Sequence, residues 1–146
     1  MKETYYLNKK DILPVMPELH DNAISSITVS DQYIIMVLET DREDKDDAIQ
    51  YYKPGAKGLV IRCHMTAEDD FTLYKMKHSP RHFSWLIPPR FIMLENKQIE
   101  TLVKGKYGLS FIALYEYINS IIFKLYSDTE IQLEALADYV EYEWIF

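Results

Sequence analysis

Four glycines and one cysteine in 146 residues set the first limits on what this chain can do. Phosphate-cradling loops need glycines that let backbone amides approach an anion, and four scattered ones leave no such loop and no G-x-S-x-G nucleophile turn. The single cysteine, Cys63, excludes an internal disulfide and suits a reducing compartment. Positive charge is also short: 16 Lys and Arg stand against 23 Asp and Glu, a net charge of −7. That balance argues against nucleic acid as the main partner, because phosphate neutralisation needs a basic excess. The first residues contain no apolar run of signal-peptide length, so the cytoplasm is the expected compartment. The longest apolar stretch, 109–126, is interrupted by Glu116, Asn119 and Lys124, which are costly at bilayer depth; it reads as core, and no membrane association is expected.

What the chain does have is segregated charge. Residues 128–146 carry six acids and no base, while residues 71–94 carry Lys75, Lys77, Arg81 and Arg90 and no acid. Single-sign segments build fields that select and steer partners. With 48 % hydrophobic residues, the chain has enough apolar material for one core, so residues 1–146 are expected to form a single β-rich domain.

Alternation at the two-residue period of a strand recurs along the sequence. Residues 23–29 and 33–38 read as a hairpin around Ser30-Asp-Gln32, the second strand being apolar on both faces and therefore central. Residues 40–47 form a charged loop. After the turn signal Lys53-Pro-Gly-Ala-Lys-Gly58, residues 59–65 alternate with Leu59, Ile61, Cys63 and Met65 on one face. Residues 71–77 alternate again, and the two runs suggest a second hairpin. Prolines make 79–89 a loop, while 91–94 and 99–103 are short strand candidates around a turn at 96–98. Residues 109–126 suit a strand pair turning at Asn119-Ser120, with a short helix near 109–118 as the alternative. The final strand, 130–146, changes phase near Ala137-Asp138, which predicts a β-bulge. Residues 9–19, with Pro14 and Pro17, read as an extended lead-in. The whole predicts a mainly β fold, an antiparallel β-sandwich or open barrel.

Candidate chemistry is sparse. Five carboxylates fall within residues 41–47, and Asp41, Asp44, Asp46 and Asp47 are the weak Ca²⁺ candidates; the glycine and glutamate that an EF-hand loop requires are missing, so a solvated tip is the simpler reading. His78 and His82 have a zinc-like spacing, but Pro80 breaks the helix it needs, and no metal or other cofactor is expected. Cys63 is in phase with Leu59 and Ile61 and reads as a buried small hydrophobe. The segment His78-Ser-Pro-Arg-His-Phe-Ser-Trp-Leu-Ile-Pro-Pro-Arg90 is the most suggestive, since aromatic and basic residues dominate binding hot spots and proline reduces the entropy lost on binding. Its residues Arg81, His82, Phe83, Trp85 and Arg90, with Lys75 and Lys77, form the candidate binding set. The competing reading has Phe83, Trp85, Leu86 and Ile87 plugging one end of the core.

The stretch Leu19-His-Asp-Asn-Ala-Ile-Ser-Ser-Ile27 resembles the His-Asp head and spaced isoleucines of small bacterial immunity proteins of polymorphic toxin systems and related uncharacterised families. Leu133-Glu-Ala135 and Val140-Glu-Tyr-Glu-Trp144 are similar to their last strand. The resemblance implies a compact β-rich cytoplasmic protein that binds and neutralises a toxin domain without a cofactor. On the residues themselves, His20-Asp21 reads as a turn-forming pair, since no nucleophile converges on it. The expectation is therefore a non-enzymatic protein-binding module, with a carbohydrate-binding β-sandwich as the alternative, a hydrolase as a third reading and self-association left open.

Overall fold

The computed structural model describes residues 1–9, 11–40, 47–83, 85–95 and 99–146, with the side chain of Phe83 excepted. The fold is mainly β: one antiparallel sheet of nine strands, not closed, with two short helices. The strands are β1 (Lys2–Tyr6), β2 (Ile24–Ser30), β3 (Tyr33–Glu39), β4 (Gly58–Met65), β5 (Phe71–Lys77), β6 (Arg90–Met93), β7 (Ser110–Tyr117), β8 (Ser120–Tyr126) and β9 (Glu130–Ile145). The helices are α1 (Ala48–Tyr52) and α2 (Glu100–Val103).

β9 organises the whole. Its first half pairs with β5 and β8, and its second half pairs with β4 and β1. Two wings result, β2-β3-β4-β9-β1 and β7-β8-β9-β5-β6, which share that one strand. The pivot is Asp138: His64 pairs with Tyr139 but Met65 pairs with Ala137, so Asp138 is the extra residue of a β-bulge. A bulge shifts side-chain phase by one. Ile131, Leu133, Ala135 and Ala137 accordingly face the core before it, and Val140, Tyr142 and Trp144 after it. The inner faces of both wings contribute to one buried cluster. Their far edges touch where the residues before β2 meet β7, through an Ala23–Ser110 bridge and bonds from the Ile24 amide to the Leu109 carbonyl (2.9 Å) and from the Phe111 amide to the Asn22 carbonyl (2.8 Å).

The β2–β3 hairpin, the central place of β3 and the phase-shifting bulge agree with the sequence reading. Asp31 turns the hairpin with a φ of 53°, a left-handed conformation that aspartate tolerates better than most residues.

Three expectations are corrected. β4 and β5 do not pair with each other, because β9 runs along both: the Thr66 amide donates to the Leu136 carbonyl and the Leu136 amide to the Asp70 carbonyl. Helix α2, Glu100–Val103, replaces the strand expected at 99–103: Ile99 is buried and Leu102 and Val103 are half-buried, and that i, i+3, i+4 spacing is the period of a helical turn. The strand pair expected over 109–126 is formed, with β-branched and aromatic side chains pairing β7 with β8 around a turn at Asn119 with a φ of 52°, so it is the alternative helix near 109–118 that is absent. Helix α1, which the sequence reading did not include, begins where the expected loop ends: Asp47 Oδ1 accepts from the Ile49 amide at 2.8 Å and caps it. β1 carries no strong apolar pattern and was not foreseen; it pairs beside the second half of β9. The 96–98 turn lies outside the described residues. Among the described residues, no helix is long and apolar enough to cross a membrane.

Candidate functional site

β5 carries the basic segment out of the core. Phe71 and Leu73 are buried, and the same face continues past the core edge as Lys75 and Lys77, while Thr72, Tyr74 and Met76 take the other face. β6 pairs with β5 at four positions, Tyr74 with Met93, Lys75 with Ile92, Met76 with Phe91 and Lys77 with Arg90. Lys75 is held by Asp128 at 3.3 Å. Lys77 and Arg90 are both exposed and directly opposed, an arrangement of like charges that weakens a strand pair.

The loop between these strands contains a 3-10 turn, Arg81–Phe83. It is drawn together by Ser79 Oγ, which donates to the Ile87 carbonyl at 2.9 Å. Lys77, His78, Pro80, Ile87, Pro88 and Arg90 line a shallow concavity at its base. The core-plug reading is corrected for three of its residues: Trp85 is 79 % exposed, and Leu86 and Ile87 are exposed as well. Arg81 and His82 lie on the exposed turn, and the Phe83 side chain falls outside the described residues. The structure therefore brings Lys77 and Arg90 together and sets Trp85 on the connecting loop.

The Ca²⁺ candidates do not assemble. Asp47 is the buried cap of α1, and Asp41, Asp44 and Asp46 lie outside the described residues. Among the described residues, no group of three or more His, Cys, Asp and Glu side chains is arranged to hold a metal ion.

A second polar constellation, not anticipated, covers the outer face of the first wing. His64 Nδ1 meets Asp138 Oδ2 at 3.0 Å, and its ring stacks on Tyr139 with centroids 4.7 Å apart and planes 4° from parallel. Tyr33 sits edge-on to His64 and shares a 2.6 Å hydrogen bond with the Tyr139 hydroxyl. Arg62 pairs with Glu143, and Lys2 with Glu141 at 2.8 Å. The bond to Tyr33, aided by partial burial, raises the pKa of Tyr139 well above the usual tyrosine range. The Arg62 hydrogen bond holds Glu143 below the usual carboxylate range. These groups satisfy one another and pin β4 to β9 at the bulge. Only the phase shift at Asp138 hinted at them, since His64 and Asp138 are 74 positions apart in the chain.

Neither of two intrinsically nucleophilic groups is activated. Burial pushes the Cys63 thiol up to about 12, and burial also raises Tyr142, whose hydroxyl donates to the Pro14 carbonyl at 3.0 Å. His20 and Asp21 contact each other at 2.9 Å on the surface, and the Asp21 amide donates to the Phe111 carbonyl, a link between the wings. No protein-family model, no curated protein and no solved structure matches this chain.

Proposed function

We propose that this chain is a non-enzymatic protein-binding module, working in the cytoplasm and acting on its partner by occupation, as immunity proteins do. The observation that carries this reading is the exposure of Trp85, Leu86, Ile87, Phe91, Ile92 and Met93 on one loop and its following strand. Exposed apolar residues beside cations are the composition of an interface core with a polar rim. Cys63, the one thiol, is buried with a raised pKa, which removes it as a nucleophile. The immunity-like part of the proposal rests on the resemblance of residues 19–27 and of the last strand.

The test is affinity capture from the native host with the intact chain and with Trp85→Ala. A buried tryptophan anchor at the centre of an interface contributes about 2 kcal/mol or more, so Trp85→Ala is expected to reduce capture about 30-fold. Exposed Trp85 also suits stacking on a sugar ring, which makes a glycan array the companion experiment. Glycan binding abolished by Trp85→Ala, with no protein captured, overturns the protein-binding reading in favour of a carbohydrate one.

A further inference from the structure

β6 ends the sheet order, and among the described residues no strand lies on its outer side. The Leu94 amide donates to the Leu73 carbonyl at 2.8 Å, which sets the phase of the β5–β6 ladder. Antiparallel bonding alternates by residue, so Ile92 and Arg90 bond toward β5, while the amides and carbonyls of Phe91 and Met93 point to the open edge. Natural edge strands are blunted by charge, proline or a cover. β6 itself carries one charge, Arg90, among three exposed apolar residues, with Phe91 at 40 % and Met93 at 63 % exposure.

Its two faces differ in chemistry. Phe91 and Met93 stand beside Met76 and Tyr74, an apolar surface, whereas Arg90 and Ile92 stand beside Lys77 and Lys75. A strand added at this edge would set its alternate side chains against those two surfaces. We infer that β6 accepts an extended segment of a partner protein that alternates acidic with apolar residues, its acids meeting Arg90 and Lys77 and its apolar side chains meeting Phe91 and Met93. Such acids relieve the repulsion between the two opposed cations, in a chain whose net charge is −7. A second copy of this chain fits less well: β6 against β6 brings two basic loops to one sheet, and the chain's own acidic alternating strand, β9, is already paired along both sides.

The inference rests on the protein-binding reading, and it is tested separately from it. Backbone amide exchange is followed by NMR in the intact protein with a short peptide alternating glutamate and valine, and with its lysine–valine counterpart, each at millimolar concentration. The acidic peptide is expected to slow exchange at Phe91 and Met93 and to leave Ile92, already bonded to β5, unchanged; the basic peptide is expected to do neither. Met93→Pro removes an outward amide without touching the β5 ladder and should weaken peptide binding about tenfold, as expected for losing a backbone hydrogen bond. Arg90→Glu tests the same claim if the proline variant misfolds, because it should shift preference toward the lysine peptide. Equal protection by both peptides, or none by the acidic one, overturns the inference. Host-partner capture that needs Trp85 but survives Met93→Pro removes strand addition and leaves the binding module standing; capture that ignores both substitutions removes both.

Discussion

Lys77 and Arg90 stand directly opposite each other across the β5–β6 ladder, and both are exposed. Opposed like charges cost a strand pair about 0.2–1 kcal/mol. In a free protein this is a defect; in the proposed strand addition it serves as the attachment point for acids. Stability surrendered at a binding surface is a familiar trade.

Lys77→Glu is therefore expected to stabilise the free protein by about 0.5 kcal/mol, since it turns a repulsive cross-strand pair into an attractive one. Urea denaturation measures the gain as a higher midpoint at unchanged slope. The same variant should capture the host partner less well. A variant that is less stable, or that binds better, contradicts the role given to this pair.

His64→Ala removes both the stack on Tyr139 and the bond to Asp138 at the bulge. The stack is worth about 0.5–1.5 kcal/mol and the hydrogen bond about 1 kcal/mol, so a loss of roughly 1.5–2.5 kcal/mol is expected in urea denaturation. Because this cluster pins β4 to β9 and does not belong to the β5–β6 edge, partner capture by the folded variant should be unchanged. Loss of capture at full folding would move the functional surface to the first wing.

The Arg62–Glu143 pair gives a pH dependence of definite sign. Arg62 depresses the pKa of Glu143 in the folded state, so the unfolded chain binds the proton more readily. The resulting stabilisation is complete above the unfolded carboxylate pKa, about 4.3, and is lost as pH falls through the folded value. Glu143 is partly exposed, so the effect is small and screened by salt. Arg62→Met should flatten the acid limb of the stability profile measured by urea denaturation, with the largest difference at low ionic strength. An identical acid limb in the two proteins contradicts the assignment.

The sequence makes local periodicity legible and hides long-range partners. Alternation around Leu59, Ile61 and Cys63 and the phase change near Asp138 could be read directly, because each strand face is written into its own residues. That β9 would separate β4 from β5 could not be read, since the two runs look like neighbours and only the pairing of one half of β9 with β5 and the other with β4 excludes it. Ile99, Leu102 and Val103 have helical spacing, but a single turn is too short for its period to stand out, and this one packs against β2. The composition of the basic loop was visible in advance, whereas the exposure of Trp85 and the opposition of Lys77 to Arg90 depend on tertiary placement and strand register. The His64–Asp138–Tyr139 cluster was invisible for the same reason.

The most direct measurement is a hydrogen–deuterium exchange footprint of the intact protein with the partner captured from its host. Protection concentrated in residues 74–94, strongest at Trp85 and at the outward amides of Phe91 and Met93, is the expected result. Protection on the outer face around Tyr33, His64 and Tyr139, with residues 74–94 unchanged, would contradict the assignment of the binding surface.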